Sequence, residues 1–263
     1  DITSAMASGD FLRFLTFSPT RARQAAECGL RSFIIMAGAL DSRRVIPKLY
    51  SYEGTFGVGY GVASYLPLEE DRNRNFLVQF KALEQENMKK LRETESIYVK
   101  LARASIFHYI NYGELVQVPA ELPRDMLTNS AGVFVSIKKY GELRGCIGTL
   151  EAVTDCIAKE IIHNAVSSAM NDPRFEPIQE EELELLTYSV DVLSSPEMID
   201  SIDLLDAKRY GIIVTSEGKR GVLLPNLDGI ETVEQQLAIA LQKAEILAHE
   251  KYFMERFMVT RYH

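Results

Sequence analysis

The run Leu143-Arg144-Gly145-Cys146-Ile147-Gly148-Thr149 puts a guanidinium, a thiol and two positions without side chains into seven residues. A guanidinium binds a carboxylate or phosphate through two parallel hydrogen bonds. A thiol becomes a nucleophile where a cation or a base lowers its pKa. The glycines leave backbone open to a ligand. If the run is a strand, alternate side chains share a face, so Arg144, Cys146 and Gly148 stand together. The competing reading makes Cys146 a small core residue and the glycines a device for tight packing. The two readings separate on one point, whether the thiol borders solvent or is sealed among aliphatic neighbours.

Other residues join this motif as candidates. His163 is a candidate base for Cys146, against the reading that it is an ordinary helix histidine. His163 and Asn164 are about 100° apart around a helix and cannot both face one spot. Asp172-Pro173-Arg174-Phe175 places a carboxylate and a guanidinium at a cleft mouth, or else forms a helix stop with an internal ion pair. The candidate set is therefore Cys146 with His163 for catalysis, and Arg144, Gly145, Gly148, Thr149, Asn164, Asp172 and Arg174 for binding a ligand. Arg220 reads as a second basic hairpin tip or a solvated turn. Glu180 to Glu184 reads as a solvated helix start, where the dipole favours acids. Cys28, Cys146 and Cys156 with His108, His163, His249 and His263 show no metal-ligand spacing, so no metal site is expected.

The elements that must hold these residues follow from periodicity. Ala131–Lys139 alternates as a half-buried strand, Tyr140-Gly141-Glu142 turns, and Leu143–Thr149 returns. Thr154 is placed to cap a helix over Asp155–Met170, stopped at Pro173. Leu185–Leu193 is a strand, Tyr210–Ser216 and Lys219–Pro225 a hairpin, Thr232 the start of a helix to about His249, and Phe253–Tyr262 a closing strand. Upstream, Pro19–Leu40 reads as one helix, Lys48–Gly54 and Gly57–Leu66 as strands, and Pro67–Asn75 as a loop or edge. Phe76–Ile110 is helical with a break at Glu93–Ser96, where Ser96 can cap a new helix. The domain boundary is expected there, giving 1–96 and 97–263. Hairpins dominate, so the class is α+β: a mainly antiparallel sheet flanked by helices over 97–263, with a partial α/β unit over 1–96.

Composition bounds the function. The chain has 263 residues, 46% hydrophobic and 25% charged, within the globular range. The net charge of −8 argues against nonspecific binding to nucleic acid or acidic membranes. It is uneven: 13 basic and 12 acidic residues before position 97, against 16 and 25 after it. The apolar run Phe33–Leu40 is far short of the roughly 18–20 residues a membrane-spanning helix needs. An odd cysteine count and no basic leader fit a cytoplasmic protein with reduced thiols.

Over 97–263 the chain resembles the AMMECR domain family, the A component of the AmmeMemoRadiSam gene cluster. The resemblance is carried by Leu143–Thr149, Asn164, Asp172–Phe175, Tyr210-Gly211-Ile212-Ile213-Val214, Arg220–Pro225 and Val259–Tyr262. It implies a compact α+β domain in a bacterial protein, a role not settled biochemically, and a radical S-adenosylmethionine protein as partner by the cluster's name. Residues 7–67 are similar to the C-terminal end of class III extradiol dioxygenase-like proteins, the LigB- and Memo-like relatives. The matches are Ala7–Asp10, Ala25–Arg31, Gly38–Asp41 and Tyr52–Ala63. This implies an iron(II)-dependent oxidoreductase if the parent domain is intact. The pattern departs after Asp10, where Phe11-Leu12-Arg13-Phe14 replaces the family's Leu-Ser-His, so 1–96 reads as a C-terminal remnant without cofactor of its own. The expected substrate is a small molecule or a protein, and apolar surface such as Phe33–Leu40 suggests a homo-oligomer. Two rivals remain: a non-enzymatic protein-interaction module, and a thiol-dependent enzyme using Cys146.

Overall fold

The computed structural model describes every residue except Asp1, Phe56, Asp228 and Ala248, with the backbone alone at Pro19 and Thr20. Phe56, in the N-terminal motif, and Ala248, in the expected last helix, therefore lie outside the described residues. The chain divides into Asp1–Leu91 and Arg92–His263.

The first unit holds α1 (Ile2–Ser8), α2 (Leu12–Leu15), α3 (Pro19–Gln24), α4 (Leu30–Ala39), β1 (Arg43–Thr55), β2 (Val58–Glu70) and most of α5 (Phe76–Thr94). The single helix expected over Pro19–Leu40 is two. Ala26 takes a left-handed φ of 49°, and the Glu27 carboxylate accepts the Leu30 N–H at 2.7 Å, starting α4 afresh. β1 and β2 pair antiparallel from Arg43–Glu70 to Thr55–Val58, so the polar stretch after Pro67, expected as a loop or edge, continues the strand. The core gathers Phe11, Phe14, Ala37, Val45 and Phe76, with Phe33, Ile34, Met36 and Leu40 packed against it. The Phe33–Leu40 run is thus mostly used internally, and Ile35 alone among its large side chains is fully exposed.

The second unit begins with the end of α5 and continues through α6 (Ile97–Tyr112), α7 (Arg124–Thr128), β3 (Val133–Lys139), β4 (Glu142–Gly148) and α8 (Ile157–Met170). It then runs through β5 (Leu186–Leu193), β6 (Glu197–Ile199), β7 (Tyr210–Ser216), β8 (Lys219–Leu223), α9 (Val233–Lys243) and β9 (Phe253–Tyr262). Ser96 caps α6 as expected, its hydroxyl accepting the Val99 N–H. Thr232 and Gln235 form a capping box at the start of α9, which stops at Lys243, short of His249. The strands form one antiparallel sheet in the order β4-β3-β5-β9-β7-β8, with β6 paired to β9. The short β6 carries too little alternation to be read from sequence.

Alternation sorts the sheet's faces. Val133, Val135 and Ile137 of β3 with Tyr188 and Val190 of β5 meet α6 and α8 in the main core. Ile212, Val214 and Leu223 meet α9 in a second. The opposite face is apolar around Leu193, Ile213 and Phe257, with Phe134 and Val259 against them. It turns polar toward Ser136, Cys146, Ser189 and Asp191.

Candidate functional site

The β3–β4 hairpin turns through Tyr140 and Gly141 with φ of 53° and 80°, both left-handed, the two-residue turn whose twist matches the strands. Its register sets Ser136 opposite Cys146 and Phe134 opposite Gly148. Ile137 pairs with Gly145 and Lys138 with Leu143, so Arg144 is the extra residue of a β-bulge. The bulge breaks the alternation that was to put Arg144 beside Cys146. The Arg144 Nε and Nη2 donate to the two oxygens of Glu182 at 3.1 and 2.9 Å, and Nη1 donates to the Glu176 carbonyl at 2.7 Å. Lys139 donates to the same carboxylate at 2.8 Å. Arg144 thus has each guanidinium nitrogen engaged within the fold. Glu182, expected on a solvated helix start, lies in a 3-10 turn over Glu180–Leu185 with its side chain 16% exposed. Arg144, and then Lys139, hold its pKa well below the usual carboxylate value, at about 2.

The two glycines serve packing. A Cβ at Gly145 would come within 2.2 Å of the Ser168 carbonyl oxygen on α8, and one at Gly148 within 2.3 Å of the Phe134 ring. Thr149 and Asn164 are also internal. Asn164 Nδ2 donates to the Val133 carbonyl and to Thr149 Oγ1. Thr149 donates to Glu160, whose fully buried carboxyl group also accepts the Thr154 hydroxyl and the N–H groups of Val153 and Thr154. Thr154 therefore does not cap α8 with its own side chain; the helix starts at Ile157 and the loop before it hangs on Glu160. His163 lies exposed on the side of α8 away from Asn164 and Ser168, and among the described residues no hydrogen bond joins it to Cys146.

What remains around the thiol is a set of polar side chains on the sheet face opposite the main core. Cys146 is half-buried and its Sγ lies 3.2 Å from Ser136 Oγ. Its backbone N–H donates to Asp172 Oδ2 at 2.8 Å, and its carbonyl accepts from Arg174 Nη2 at 3.1 Å. Asp172, 3% exposed at the side chain, binds Arg174 through both oxygens at 2.9 and 2.7 Å. That pairing, first of several causes, holds Asp172 far below the usual carboxylate range. Two strands away, buried Asp191 binds Arg261 the same way, at 2.7 and 2.7 Å. Each aspartate raises the pKa of its arginine by hydrogen bonding. The two guanidiniums face outward, with side chains 54% and 50% exposed.

Of the expected residues, the structure brings Cys146, Asp172 and Arg174 together and sends Arg144, Gly145, Gly148, Thr149 and Asn164 into scaffold roles. Ser136, Asp191 and Arg261 were missed. Alternation in β3 already turned Ser136 outward with Phe134, but only the strand register sets it against the thiol. Arg220 pairs with Glu151 at 2.7 Å. Among the described residues no group of three or more His, Cys, Asp or Glu gathers as a metal site, and no helix is long and apolar enough to cross a membrane.

Comparison with known proteins places the chain in a family. Residues 99–263 match the family model described as AMMECR1. A Clostridium acetobutylicum protein is 46% identical over 239 residues, covering 90% of this chain and 50% of the relative. The chain thus spans about half the length of that relative, and the alignment is longer than the second unit. A Thermotoga maritima protein is 42% identical over 170 residues, covering 64% of this chain and 98% of the relative. The crystal structure of an uncharacterized protein from Pyrococcus horikoshii superposes with a TM-score of 0.57 at 29% identity, covering 64% of this chain and 90% of that one.

Proposed function

The chain belongs to the AMMECR1 family, and on that premise we propose that its second unit recognises an anionic group on a small-molecule or protein substrate at the open sheet face around Cys146. The supporting observation is a half-buried thiol whose backbone is bound by one bidentate arginine–aspartate pair and whose sheet face carries a second, with the aspartates buried and the guanidiniums outward. Such pairs present their positive ends to the surface, and a fixed guanidinium loses little freedom when it takes a second acceptor. Ser136 supplies a hydroxyl beside the sulfur. In this reading Cys146 contacts the ligand and Arg174 and Arg261 orient it.

The test uses the thiol as its own reporter. Iodoacetate and iodoacetamide alkylate the same sulfur, but only the first carries a charge. The iodoacetate-to-iodoacetamide rate ratio at Cys146 is expected to exceed that at exposed Cys28 by about twofold or more at low salt, the size of a screened charge term. Arg261→Gln should bring the ratio down toward that of Cys28. Equal ratios at the two cysteines in the unaltered protein overturn the reading.

For the first unit, the resemblance to class III extradiol dioxygenase-like proteins is kept as a proposal of descent. It rests on the motifs within residues 7–67 alone. The residues present do not fit the iron(II) of such enzymes: the unit has no histidine, the first being His108. No step is assigned to iron here, and a radical S-adenosylmethionine protein as partner rests on the resemblance alone.

A further inference from the structure

The ribbon of the first unit has two edges, and they differ. Along β1, Arg43, Arg44, Pro47 and Lys48 guard the edge: a proline offers no N–H, and basic side chains keep a second strand away. Arg74 Nε also donates to the Arg43 carbonyl at 2.8 Å. Along β2, the nine residues from Val58 to Leu66 contain neither a charge nor a proline. They pair with β1 alone, and among the described residues they make no backbone hydrogen bond outside that pairing. At about 3.3 Å per residue, this bare edge is about 30 Å long. An uncharged edge of that kind is a template for another strand.

The order of side chains along β2 says which strand fits. Antiparallel neighbours keep opposed side chains on one face. Laid against a second copy about an axis at Val62, the strand sets Tyr60 opposite Ser64, Tyr65 opposite Gly59, Gly61 opposite Ala63 and Val58 opposite Leu66. Each tyrosine meets a small residue, the two valines meet at the axis, and no like charges are opposed. Moving the axis to Gly61 or Ala63 sets Tyr60 against Val62 or Leu66 instead. Tyr65 in particular cannot make way. Its ring packs edge-on to Phe11 with centroids 5.0 Å apart, and its hydroxyl donates to the Met6 carbonyl at 3.1 Å.

We propose that β2 is a dimerisation edge, pairing antiparallel with β2 of a second copy across a two-fold axis at Val62. Residues in alternate pairs exchange both backbone bonds, so about eight to ten hydrogen bonds join the copies. Two ribbons, each marginal alone, become one sheet of four strands. The contact is isologous and closed, and the only edges it leaves are the two guarded β1 edges. It lies wholly in the first unit and does not depend on the thiol reading.

The experiment is sedimentation equilibrium of the intact chain, with a cross-linking arm. At about 100 μM the unaltered protein is expected to approach twice its 29.6 kDa, as suits a small interface. Val62→Lys opposes two like charges at the axis and should weaken association at least about fivefold. Val62 is 55% exposed, so the single chain keeps its fold. Tyr50→Lys makes the same charge change on β1 and should leave association unaltered. Cross-linking uses a Cys28→Ser background, which removes the exposed native thiol. There Val62→Cys should give a disulfide-linked dimer on mild oxidation, since opposed Cα atoms lie about 4.5–5.5 Å apart. Ser64→Cys should not, because the two copies of that position are offset by about 13 Å along the strands. A monomer at about 100 μM, a Val62→Lys variant that associates like the unaltered chain, a Tyr50→Lys variant as weak as Val62→Lys, or Ser64→Cys cross-linking as readily as Val62→Cys each overturns the proposal.

Discussion

The two units use the same pairing geometry to opposite ends. In the second, seven antiparallel strands bury one face under α6, α8 and α9, and the polar side chains near the thiol are tied to one another. In the first, two long strands pair with each other alone, and Ile46, Tyr50, Tyr52, Tyr60, Val62 and Leu66 all stand more than half exposed. A two-stranded ribbon has no third strand to share its load and stays marginal unless something packs on it. Val45 and Tyr65 pack into the core of the unit, so only the side chains of the uncovered parts reflect strand propensity and not burial. Apolar alternation identifies strands in both units, but only the presence of a covering layer turns it into a core.

Three measurements press on this contrast. The largest effect is expected at Glu160→Ala, which strips a fully buried carboxyl group from two hydroxyls and two N–H groups. Equilibrium denaturation should show the second unit losing about 3–5 kcal/mol; a loss below about 1 kcal/mol would mean that this network is ornamental. Next is acid. Glu182 has its pKa depressed from 4.5 to about 2 in the fold. A depressed carboxylate contributes stability above its unfolded value and loses it as the pH falls through the folded one. About 3 kcal/mol should therefore vanish between pH 4.5 and 2, and Glu182→Gln should flatten that part of the stability profile. An unaltered profile in the variant breaks the assignment. The smallest effect belongs to the ribbon: Tyr60→Thr, at an exposed side chain on a strand, should move stability by less than about 0.5 kcal/mol. A cost of 2 kcal/mol or more would show that the ribbon face is packed after all.

Local features were legible and distant pairings were not. The Ser96 cap, the β3–β4 hairpin, the β7–β8 hairpin and the full span of β9 follow from residue types and alternation within a few positions. The break at Ala26 did not, because a run of small residues carries no helix stop as strong as proline. The site divided along the same line. Cys146, Asp172 and Arg174 each stood out by residue type and short motif, but their meeting spans 26 and 28 residues and is set by α8. Arg144 was misplaced because a one-residue bulge is invisible without its partner strand. Glu182 hid in a run of acids, since sequence cannot say which member of such a run meets a guanidinium 38 residues away. Arg261, facing Asp191 across 70 residues, belongs to the same class.

β9 sits in the interior of the sheet, hydrogen-bonded to β5, β6 and β7, yet it spans residues Phe253–Tyr262. Among the described residues, the halves of the sheet, β4-β3-β5 and β7-β8, are joined in the strand order only through β9. During synthesis they are made first and must wait as separate ribbons with open edges. Closure of the sheet is thus an event that follows translation of this segment, and the interval before it is when the nascent chain is most in need of protection from edge-to-edge association.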